Sequence, residues 1–460
     1  MSELSEKLLM TKKNAYFVME EAEMKKAYAF CEDYKNFLDN AKTEREAVNE
    51  ALKAAKENGF TEYNPQKSYV PGDKVYVNNR GKAAIFAVIG KKGVKEGALI
   101  SAAHIDSPRL DLKPIPLYEK EELAFLKTHY YGGIKKYQWT AMPLSMHGVI
   151  IKKNGEKVEV AIGENENDPV FCITDLLPHL SAEQNNKTLA KAIEAEDLNI
   201  LVGSMPLTDE AEKAYKLSVL KLLNDAYGIV EEDLVSAEIE FVPAFKAKDV
   251  GFDRSLIGSY GHDDRVCAYP ILKAILDVEI PEKTVISVFA DKEETGSDGN
   301  TGLNSSFLKY FIEDLAKNDE IDGRTALSKS KCLSADVTAA LDPTYASAYE
   351  PLNACYINHG VGVHKYTGAR GKGGTSDASA EFVSEVRKIF NDNNVMWQIC
   401  ELGKVDLGGG GTVAKYVANL NVDVIDVGVP VLSMHAPYEV VAKTDVFMAY
   451  KAVSAFFKAD

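Results

Sequence analysis

The stretch TVISVFADKEETGSDG, residues 284–299, joins a buried-strand pattern to a cluster of acids. The apolar run 285–290 is typical of a strand that is buried on both faces, as in a parallel sheet. It ends abruptly in Asp291, Glu293 and Glu294. Because neighbouring residues of an extended chain point to opposite sides, the two adjacent glutamates are not expected to share one geometric role.

Strand and helix patterns alternate through the second half of the chain. Alternation of this kind predicts an α/β fold with a mostly parallel sheet flanked by helices. In chain order, the patterns predict helix 265–278, strand 284–290, helix 302–317, strand 331–336, helix 374–392, strand 395–400, helix 411–419, strand 422–427 and helix 443–457.

The pattern of predicted secondary structure changes after residue 112. Before it, the patterns predict helices within 15–59, a hairpin over 75–89 and a strand over 98–106. After it, short strands and turns dominate, with KNGEK at 153–157 as a hairpin turn and helical stretches over 181–197 and 208–227. We therefore predict an α/β domain made of residues 1–110 and 240–460, interrupted by a β-rich insert over 111–239.

The composition excludes several classes of partner. A net charge of −16, without a Lys/Arg-rich run, argues against nucleic acid and against anionic membrane surfaces as ligands. No apolar run approaches the length of a membrane span, and the N-terminal residues lack an apolar signal core. The cysteines are scattered without close pairs, which fits reduced thiols in the cytoplasm.

Metal-ligating residue types recur where predicted strands end or helices begin. In open α/β sheets, ligands bind beyond the carboxyl ends of the strands. His104, Asp263 and Asp336 are the expected ligands of one metal ion, and Asp263, Glu294 and His435 those of a second ion. Two metals roughly 3.5–4 Å apart can hold a bridging water and stabilise an oxyanion. Zn²⁺ suits these nitrogen and oxygen donors, and Co²⁺ and Mn²⁺ suit them as well.

Each of these residues also has a plain structural interpretation when it is taken alone. An Asp-Asp pair before a helix is usually a cap, two acids after a strand are usually solvated, and a single histidine usually belongs to the core. Their occurrence together at successive strand ends favours the metal site. Asp106, two residues after His104, is expected to orient that histidine.

The segments SAAHIDSPRL, GHDDR, DKEETGS, SADVTAALDP and LSMHAPYE, in this order, resemble the aspartyl aminopeptidase and aminopeptidase I family of dinuclear zinc exopeptidases. YYGG at 130–133 resembles a further segment of that family. The resemblance covers essentially the whole chain. It implies a cytosolic metalloaminopeptidase that acts on peptides with a free N-terminus. It also implies an inserted dimerisation domain and a homo-oligomer, a tetrahedral dodecamer built from dimers.

The resemblance carries the same five metal ligands onto this sequence and adds a general base. That base falls on Glu293, which would take a proton from the metal-bridging water. In related dinuclear peptidases the bond after the bridging acid is often cis. We therefore predict a cis peptide bond between Asp263 and Asp264.

The residues that contact the substrate are less well defined by the sequence. Lys365 is near the position of a family lysine that faces an acidic substrate side chain, so the N-terminal preference is expected to be acidic or broader. His179 is near a family histidine that reaches a neighbouring subunit. Gly410, in LGGGGTVAK at 407–415, is expected to offer backbone N–H groups to the substrate, although a tight turn explains these glycines equally well. His147 is expected to be structural.

Two other functions use the same residues. A dinuclear hydrolase of another small amide needs the same ligands, and peptides with a blocked N-terminus would distinguish it from an aminopeptidase. A non-catalytic assembly protein on this scaffold is expected to lack a ligand or the base, and this sequence lacks none of them.

Overall fold

The computed structural model describes residues 3–209 and 212–459. Its helices are α1 Glu3–Leu8, α2 Glu21–Asn40, α3 Glu44–Glu57, α4 Ala182–Asn185, α5 Leu189–Ala192, α6 Ala214–Tyr227, α7 His262–Leu276, α8 Phe307–Asn318, α9 Gly323–Lys329, α10 Ala380–Asp392, α11 Ala414–Ala418 and α12 Lys443–Phe456. Its strands are β1 Thr61–Glu62, β2 Lys74–Asn79, β3 Ala83–Val88, β4 Leu99–His104, β5 Arg109–Lys120, β6 Leu123–Tyr131, β7 Leu144–Ile151, β8 Lys157–Ile162, β9 Asn199–Gly203, β10 Ala237–Pro243, β11 Lys248–Val250, β12 Leu256–Ser259, β13 Val285–Ala290, β14 Lys331–Ser334, β15 Thr338–Ala339, β16 Val361–His364, β17 Trp397–Ile399, β18 Asp423–Gly428, β19 Pro430–Leu432 and β20 Glu439–Ala442.

Contacts within the chain define two compact units. Unit 1 comprises residues 1–106, 247–434 and 439–460, and unit 2 comprises residues 107–246 and 435–438. The boundaries lie a few residues from the limits predicted at 110 and 240, and the short segment 435–438 groups with unit 2. Among the described residues, no helix combines the length and apolar character that crossing a membrane requires.

Unit 1 is built on a nine-stranded sheet with the order β1-β2-β3-β13-β4-β14-β18-β16-β17. The central strands β13, β4, β14 and β18 run parallel, whereas β3 joins β13 and β16 joins β18 in antiparallel fashion. The mixed α/β architecture predicted from the alternating pattern is confirmed. The antiparallel neighbours make the sheet mixed toward its edges.

The central strands are buried on both faces, which explains their continuous apolar runs. Along β13, Val285 and Phe289 belong to one hydrophobic core and Ile286 and Val288 to another, so alternate residues serve opposite faces. Helices α2, α3, α7, α10 and α12 contribute to the first core, and α8, α9 and α11 contribute to the second. The sheet therefore lies between two helical layers.

A five-stranded sheet, β11-β12-β20-β19-β15, completes unit 1. Its strand β12 ends at Ser259, two residues before the glycine that precedes α7, and it pairs antiparallel with β20 in the register Ser259↔Glu439. This register brings the start of β20 beside the start of α7.

Unit 2 contains a six-stranded antiparallel sheet with the order β8-β7-β10-β5-β6-β9. The predicted hairpin turn KNGEK joins β7 and β8. The helical stretches predicted over 181–197 and 208–227 are shorter, because the first is broken into α4, α5 and a 3₁₀ turn and the second forms α6 from Ala214.

Several helix starts in unit 1 differ from the predictions for local reasons. The helix predicted from residue 302 begins at Phe307, because residues 302–305 fold back on Ser297, whose carbonyl accepts from the Asn304 N–H at 3.1 Å. The helix predicted over 374–392 begins at Ala380, where the Ser379 side chain caps it. The helix predicted over 411–419 is only the five-residue α11.

Candidate metal centre

Three parallel strands bring the predicted ligands to one edge of the nine-stranded sheet. In the register, Ala290 at the end of β13 lies beside His104 at the end of β4, and Ser334 at the end of β14 lies beside Ala102. Because parallel strands end at the same edge, the residues that follow them are gathered there. The fourth contribution comes from the first turn of α7, which carries Asp263.

His104 lies at the centre of this cluster, and its side chain is only 1% exposed. Its Nε2 atom lies 3.1 Å from Oδ1 of Asp263, 3.7 Å from Oδ1 of Asp336 and 3.9 Å from Oε2 of Glu293. Its other ring nitrogen, Nδ1, lies 2.9 Å from the backbone carbonyl oxygen of Asp106. A histidine that donates Nδ1–H to a carbonyl keeps Nε2 free to bind a metal.

Asp106 is fully buried and contacts both halves of the cluster. Its Oδ1 atom lies 3.3 Å from Nδ1 of His104, so it adds to the orienting effect of its own carbonyl. Its two carboxylate oxygens also accept hydrogen bonds from the backbone N–H groups of Glu293 and Glu294, each at 3.2 Å. One carboxylate thus fixes the histidine and the turn that carries both glutamates.

The turn after β13 separates the two glutamates. Lys292 adopts a left-handed conformation with φ of 67°, and a 3₁₀ turn over Glu293–Thr295 follows it. Three sets of side chains each offer potential ligand atoms that lie within 4.8 Å of one another. Glu293 and Glu294 fall in different sets. The sets are His104, Glu293 and Asp336; His104, Asp263 and Glu294; and Asp263, Asp264 and Asp336.

The donor set fits zinc. Zinc binds imidazole nitrogen and carboxylate oxygen at about 2.0–2.2 Å, which places neighbouring tetrahedral ligand atoms roughly 3.3 Å apart. The separations of 3.1 and 3.7 Å from His104 Nε2 to Asp263 and Asp336 lie on either side of that value. These three residues therefore could hold one ion without large rearrangement.

The electrostatics of the cluster also favour a cation. Burial by itself would lower the pKa of His104, but hydrogen bonds to Asp106, Asp263 and Asp336 raise it well above its usual value. Burial and the charge of Asp336 raise the pKa of Glu293 to about 8. Several carboxylates crowded around one imidazole form the negative environment that a bound metal ion neutralises.

The peptide bond between Asp263 and Asp264 is cis, as predicted. Asp263 has φ of −79° and ψ of 103°, so the helical path of α7 is interrupted at its start. Asp264 is fully buried against the thiol of Cys267, and burial together with Asp336 raises its pKa well above the usual range. An Asp-Asp pair before a helix is usually a cap, but Asp264 lies in an acidic set with Asp263 and Asp336.

His435 belongs to unit 2, unlike the other four predicted ligands. Its backbone is left-handed, with φ of 63°, and its Nδ1 lies 2.8 Å from the carbonyl oxygen of Gly133. A Cβ atom at Gly133 would lie 3.3 Å from that nitrogen. The YYGG segment at 130–133 therefore supports the ring of His435 through Nδ1 within unit 2.

The residues predicted to contact the substrate are spread over both units. Lys365 is exposed at the end of β16, and its carbonyl accepts from the Ala378 N–H at 2.7 Å. The carbonyl of Gly410 accepts a hydrogen bond from the Gly368 N–H at 2.7 Å, which ties the two glycine-rich loops together. His179 is exposed in a 3₁₀ turn of unit 2.

His147 is buried within unit 2, where its Nε2 contacts Ser145 and Glu164 at 3.1 and 3.0 Å. This environment agrees with the structural role expected for it.

Two residues close to the cluster were not identified from the sequence. Gly428 packs its α-carbon against the carbonyl of Asp336, and Glu439 accepts a hydrogen bond from Asp263. Glu439 is the last residue of the segment LSMHAPYE, and this position was the one signal that the sequence offered for it.

Comparison with known proteins identifies the family. Residues 37–457 match the family model described as aminopeptidase I zinc metalloprotease (M18). The chain is 49% identical over 457 residues to a probable M18 family aminopeptidase 1 of Borrelia garinii, covering 98% of this chain and 100% of the relative. It is also 49% identical over 458 residues to a probable M18 family aminopeptidase 1 of Clostridium acetobutylicum, covering 98% of each.

Solved structures agree. The crystal structure of an M18 family aminopeptidase from Thermotoga maritima matches with a TM-score of 0.93 at 44% identity, covering 98% of this chain and 100% of that chain. The structure of aminopeptidase I from Clostridium acetobutylicum matches with a TM-score of 0.92 at 45% identity and the same coverage. The family resemblance predicted from the motifs is confirmed. The chain belongs to the M18 family of aminopeptidase I zinc metalloproteases and is a metalloaminopeptidase.

Proposed function

We propose that this metalloaminopeptidase removes the N-terminal residue of peptides at a pair of metal ions. His104, Asp263 and Asp336 would hold one ion, and Asp263, Glu294 and His435 the other. The proposal rests mainly on the close approach of His104 to Asp263 and Asp336 at the sheet edge. For His435, it rests on the sequence motif and on the carbonyl that holds its Nδ1.

Zinc is the proposed metal, and Co²⁺ and Mn²⁺ are alternatives because they accept the same donors. A pair of such ions supplies polarisation of the scissile carbonyl and activation of water. The carboxylate of Asp263 has two oxygens, so it suits a bridging position between the ions. Asp106 would keep the imidazole of His104 in the tautomer that presents Nε2.

Glu293 is the proposed general base. It would take a proton from the attacking water and deliver it to the leaving amine. Its support is its position 3.9 Å from His104 Nε2, beside the expected ligands, and its burial. Burial and Asp336 raise its pKa to about 8 without bound metal, and cations beside it would lower this value. Glu293 would then be ionised at neutral pH and able to accept a proton.

The preference for the N-terminal side chain is proposed to be acidic or broader, with Lys365 as the residue that would favour acids. The neighbouring segment supports a basic surface, because Arg370 and Lys372 line a cleft of about 220 Å³ with Tyr366 and Glu401. Lys372 also pairs with Asp377 at 3.0 Å, which reduces its charge toward a ligand. Gly410 and His179 are proposed as further substrate contacts on the sequence alone.

We propose that residues 1–110 and 240–460 form the catalytic domain and that residues 111–239 form a dimerisation domain. The assembly would be a tetrahedral dodecamer built from dimers. A solved structure of the yeast mApe1 dodecamer covers 93% of this chain and 96% of its own, with a TM-score of 0.76 at 20% identity. Light scattering at several protein concentrations tests this, and a particle of one or two chain masses would contradict it.

The enzyme is proposed to act in the cytoplasm. All six cysteines lie in the described residues as free thiols, and five of them are buried. This supports a reducing compartment. Fractionation of the native cells, with the enzyme followed by antibody, tests the location.

The deciding experiment compares free with blocked substrates. Metal-free protein is reloaded with Zn²⁺, Co²⁺ or Mn²⁺ and assayed on chromogenic amides of acidic, basic and apolar amino acids. The same amides are tested with an acetylated N-terminus. We expect turnover of the free amides only. Turnover of the acetylated amides would support a hydrolase of another small amide, and a metal-loaded protein inactive on every substrate would support a non-catalytic assembly protein.

A further inference from the structure

Glu439 is a buried carboxylate beside the first turn of α7. It is 1% exposed and is the first residue of β20, opposite Ser259 in the antiparallel pair of β12 and β20. Its Oε2 atom accepts a hydrogen bond from the backbone N–H of Asp263 at 3.0 Å. The contact joins residues far apart in the sequence and lies wholly within unit 1.

The N–H of Asp263 is one of the donors that a helix leaves without an internal partner at its start. A cap from a distant strand would satisfy it, and the negative charge would suit this end of the helix. Asp263, however, departs from the helical path, and its own carboxylate points at His104. Fixing its N–H therefore also limits the directions that the carboxylate can take.

His262 restrains the chain on the other side of that N–H. Its ring contacts the Tyr34 hydroxyl at 2.8 Å through Nδ1 and the Ile257 carbonyl at 3.2 Å through Nε2. Burial lowers the pKa of this histidine to about 3, so it stays neutral. Asp263 is thus preceded by a residue whose ring is held by two hydrogen bonds, and the bond to Glu439 holds the backbone N–H of Asp263 itself.

We propose that Glu439 is a positioning residue that aims the carboxylate of Asp263 at the metal site. The inference rests on the proposed metal site and adds a residue that the five ligands and the base do not include. Residues that orient metal ligands typically change metal affinity by 10–100-fold when they are removed. A residue that only caps α7 would change stability and leave the affinity for zinc as it is.

The test compares zinc affinity among variants of the full-length protein, measured by competition with a chromophoric chelator. Glu439→Leu removes the acceptor, and we expect zinc binding to weaken by about 10–100-fold. Glu439→Gln keeps a side-chain oxygen that can accept the same hydrogen bond, and we expect an affinity close to that of the wild type. The melting temperature and the particle mass are measured for each variant.

Asp445→Leu serves as the matched control. The Asp445 carboxylate is also fully buried, and it also accepts backbone hydrogen bonds, from Asn358 and Gly360 at 2.7 and 2.8 Å. We expect this variant to melt earlier than the wild type and to bind zinc as tightly. That result would separate a general loss of stability from the specific loss of a metal ligand's orientation.

Unchanged zinc affinity in Glu439→Leu would overturn the proposal, and so would equal losses in Glu439→Leu and Glu439→Gln. If Glu439→Leu does not fold, Glu439→Asp replaces it, because the shorter side chain keeps the charge and withdraws the acceptor. A wild-type affinity in that variant would likewise overturn the inference. Wild-type protein that binds no zinc would overturn the proposed metal site as well, so the two failures are distinguishable.

Discussion

The α-carbon of Gly428 lies directly against the backbone carbonyl of Asp336. A Cβ atom built on Gly428 would overlap that carbonyl oxygen, so no other residue fits there unless the chain moves. Gly428 ends β18, the strand that pairs in parallel with β14, after which Asp336 follows. The absence of a side chain at Gly428 in β18 thus sets the path of the chain at Asp336, a proposed ligand that follows the neighbouring strand β14.

Gly428→Ala is therefore expected to displace Asp336. Overpacking of this kind typically costs on the order of 1–3 kcal/mol. We expect a lower melting temperature together with weaker zinc binding, measured by chelator competition. Gly371→Ala is the control, because a Cβ atom there meets nothing within 4 Å and its φ is not positive. If Gly428→Ala binds zinc like the control, the contact does not position Asp336.

Glu293→Gln is expected to lose most turnover while keeping the metal. The amide cannot accept a proton from water, and general base catalysis typically contributes 10²–10⁴-fold. We expect kcat to fall by about this factor, with zinc content and melting temperature close to those of the wild type. Near-normal kcat in the zinc-loaded variant would show that another group is the base.

Asp106→Asn is expected to disturb the base and the ligand together. An amide offers one acceptor oxygen where the carboxylate offers two, so one of the N–H groups of Glu293 and Glu294 loses its partner. We expect kcat/KM to fall by about 10–100-fold. Asp168→Asn in unit 2 is the control, since Asp168 also accepts several backbone hydrogen bonds. Equal activity in the two variants would refute the role of Asp106.

Metal removal is expected to lower stability as well as activity. A metal that binds only the folded chain stabilises it by about 2.7 kcal/mol when its concentration is 100 times its Kd. We expect a dialysed, chelator-treated sample to melt earlier and zinc to restore the melting temperature. His104→Ala should respond to zinc much less than the wild type. A melting temperature that ignores zinc in the wild type would count against the site.

The stability of the metal-free protein is expected to depend on pH through Asp445. Burial raises the pKa of this carboxyl from 3.8 to about 7. The folded chain therefore binds a proton more tightly than the unfolded chain, and this stabilisation is lost as the pH rises from about 4 to about 7. We expect the melting temperature of the wild type, relative to that of Asp445→Asn, to decline across this range. Parallel profiles would contradict the assignment.

The sequence predicted those parts of the fold that depend on local pattern. The run 285–290 is apolar because both faces of β13 are covered, and its burial was readable from composition alone. The predicted start of α8 was wrong because residues 302–305 form a turn in which the Asn304 N–H donates to the Ser297 carbonyl, a contact that no periodicity reveals. Helix α9, over Gly323–Lys329, was not predicted, since two turns give too short a pattern.

The candidate site likewise divides into residues that local sequence patterns reveal and residues that only the folded structure reveals. The residues proposed as metal ligands could be named from the sequence because strand ends and residue types are both visible there. The residues that hold those proposed ligands in place were not predicted, because they come from distant parts of the sequence and meet the ligands only in the folded chain. Gly428 reaches Asp336 from another strand, and Glu439 reaches Asp263 from another sheet. Asp106 was predicted to hold His104, yet its bonds to the N–H groups of Glu293 and Glu294 required the structure.

The anchor that Asp106 provides has a consequence for protein engineering. It holds the turn through main-chain N–H groups, which are the same whatever side chains residues 293 and 294 carry. A histidine or aspartate in place of Glu294, a proposed metal ligand, would therefore leave the main-chain hydrogen bonds of the turn available to Asp106. With Glu293 and Glu294 in their proposed roles, metal preference and proton transfer would be two separately adjustable properties of one short loop.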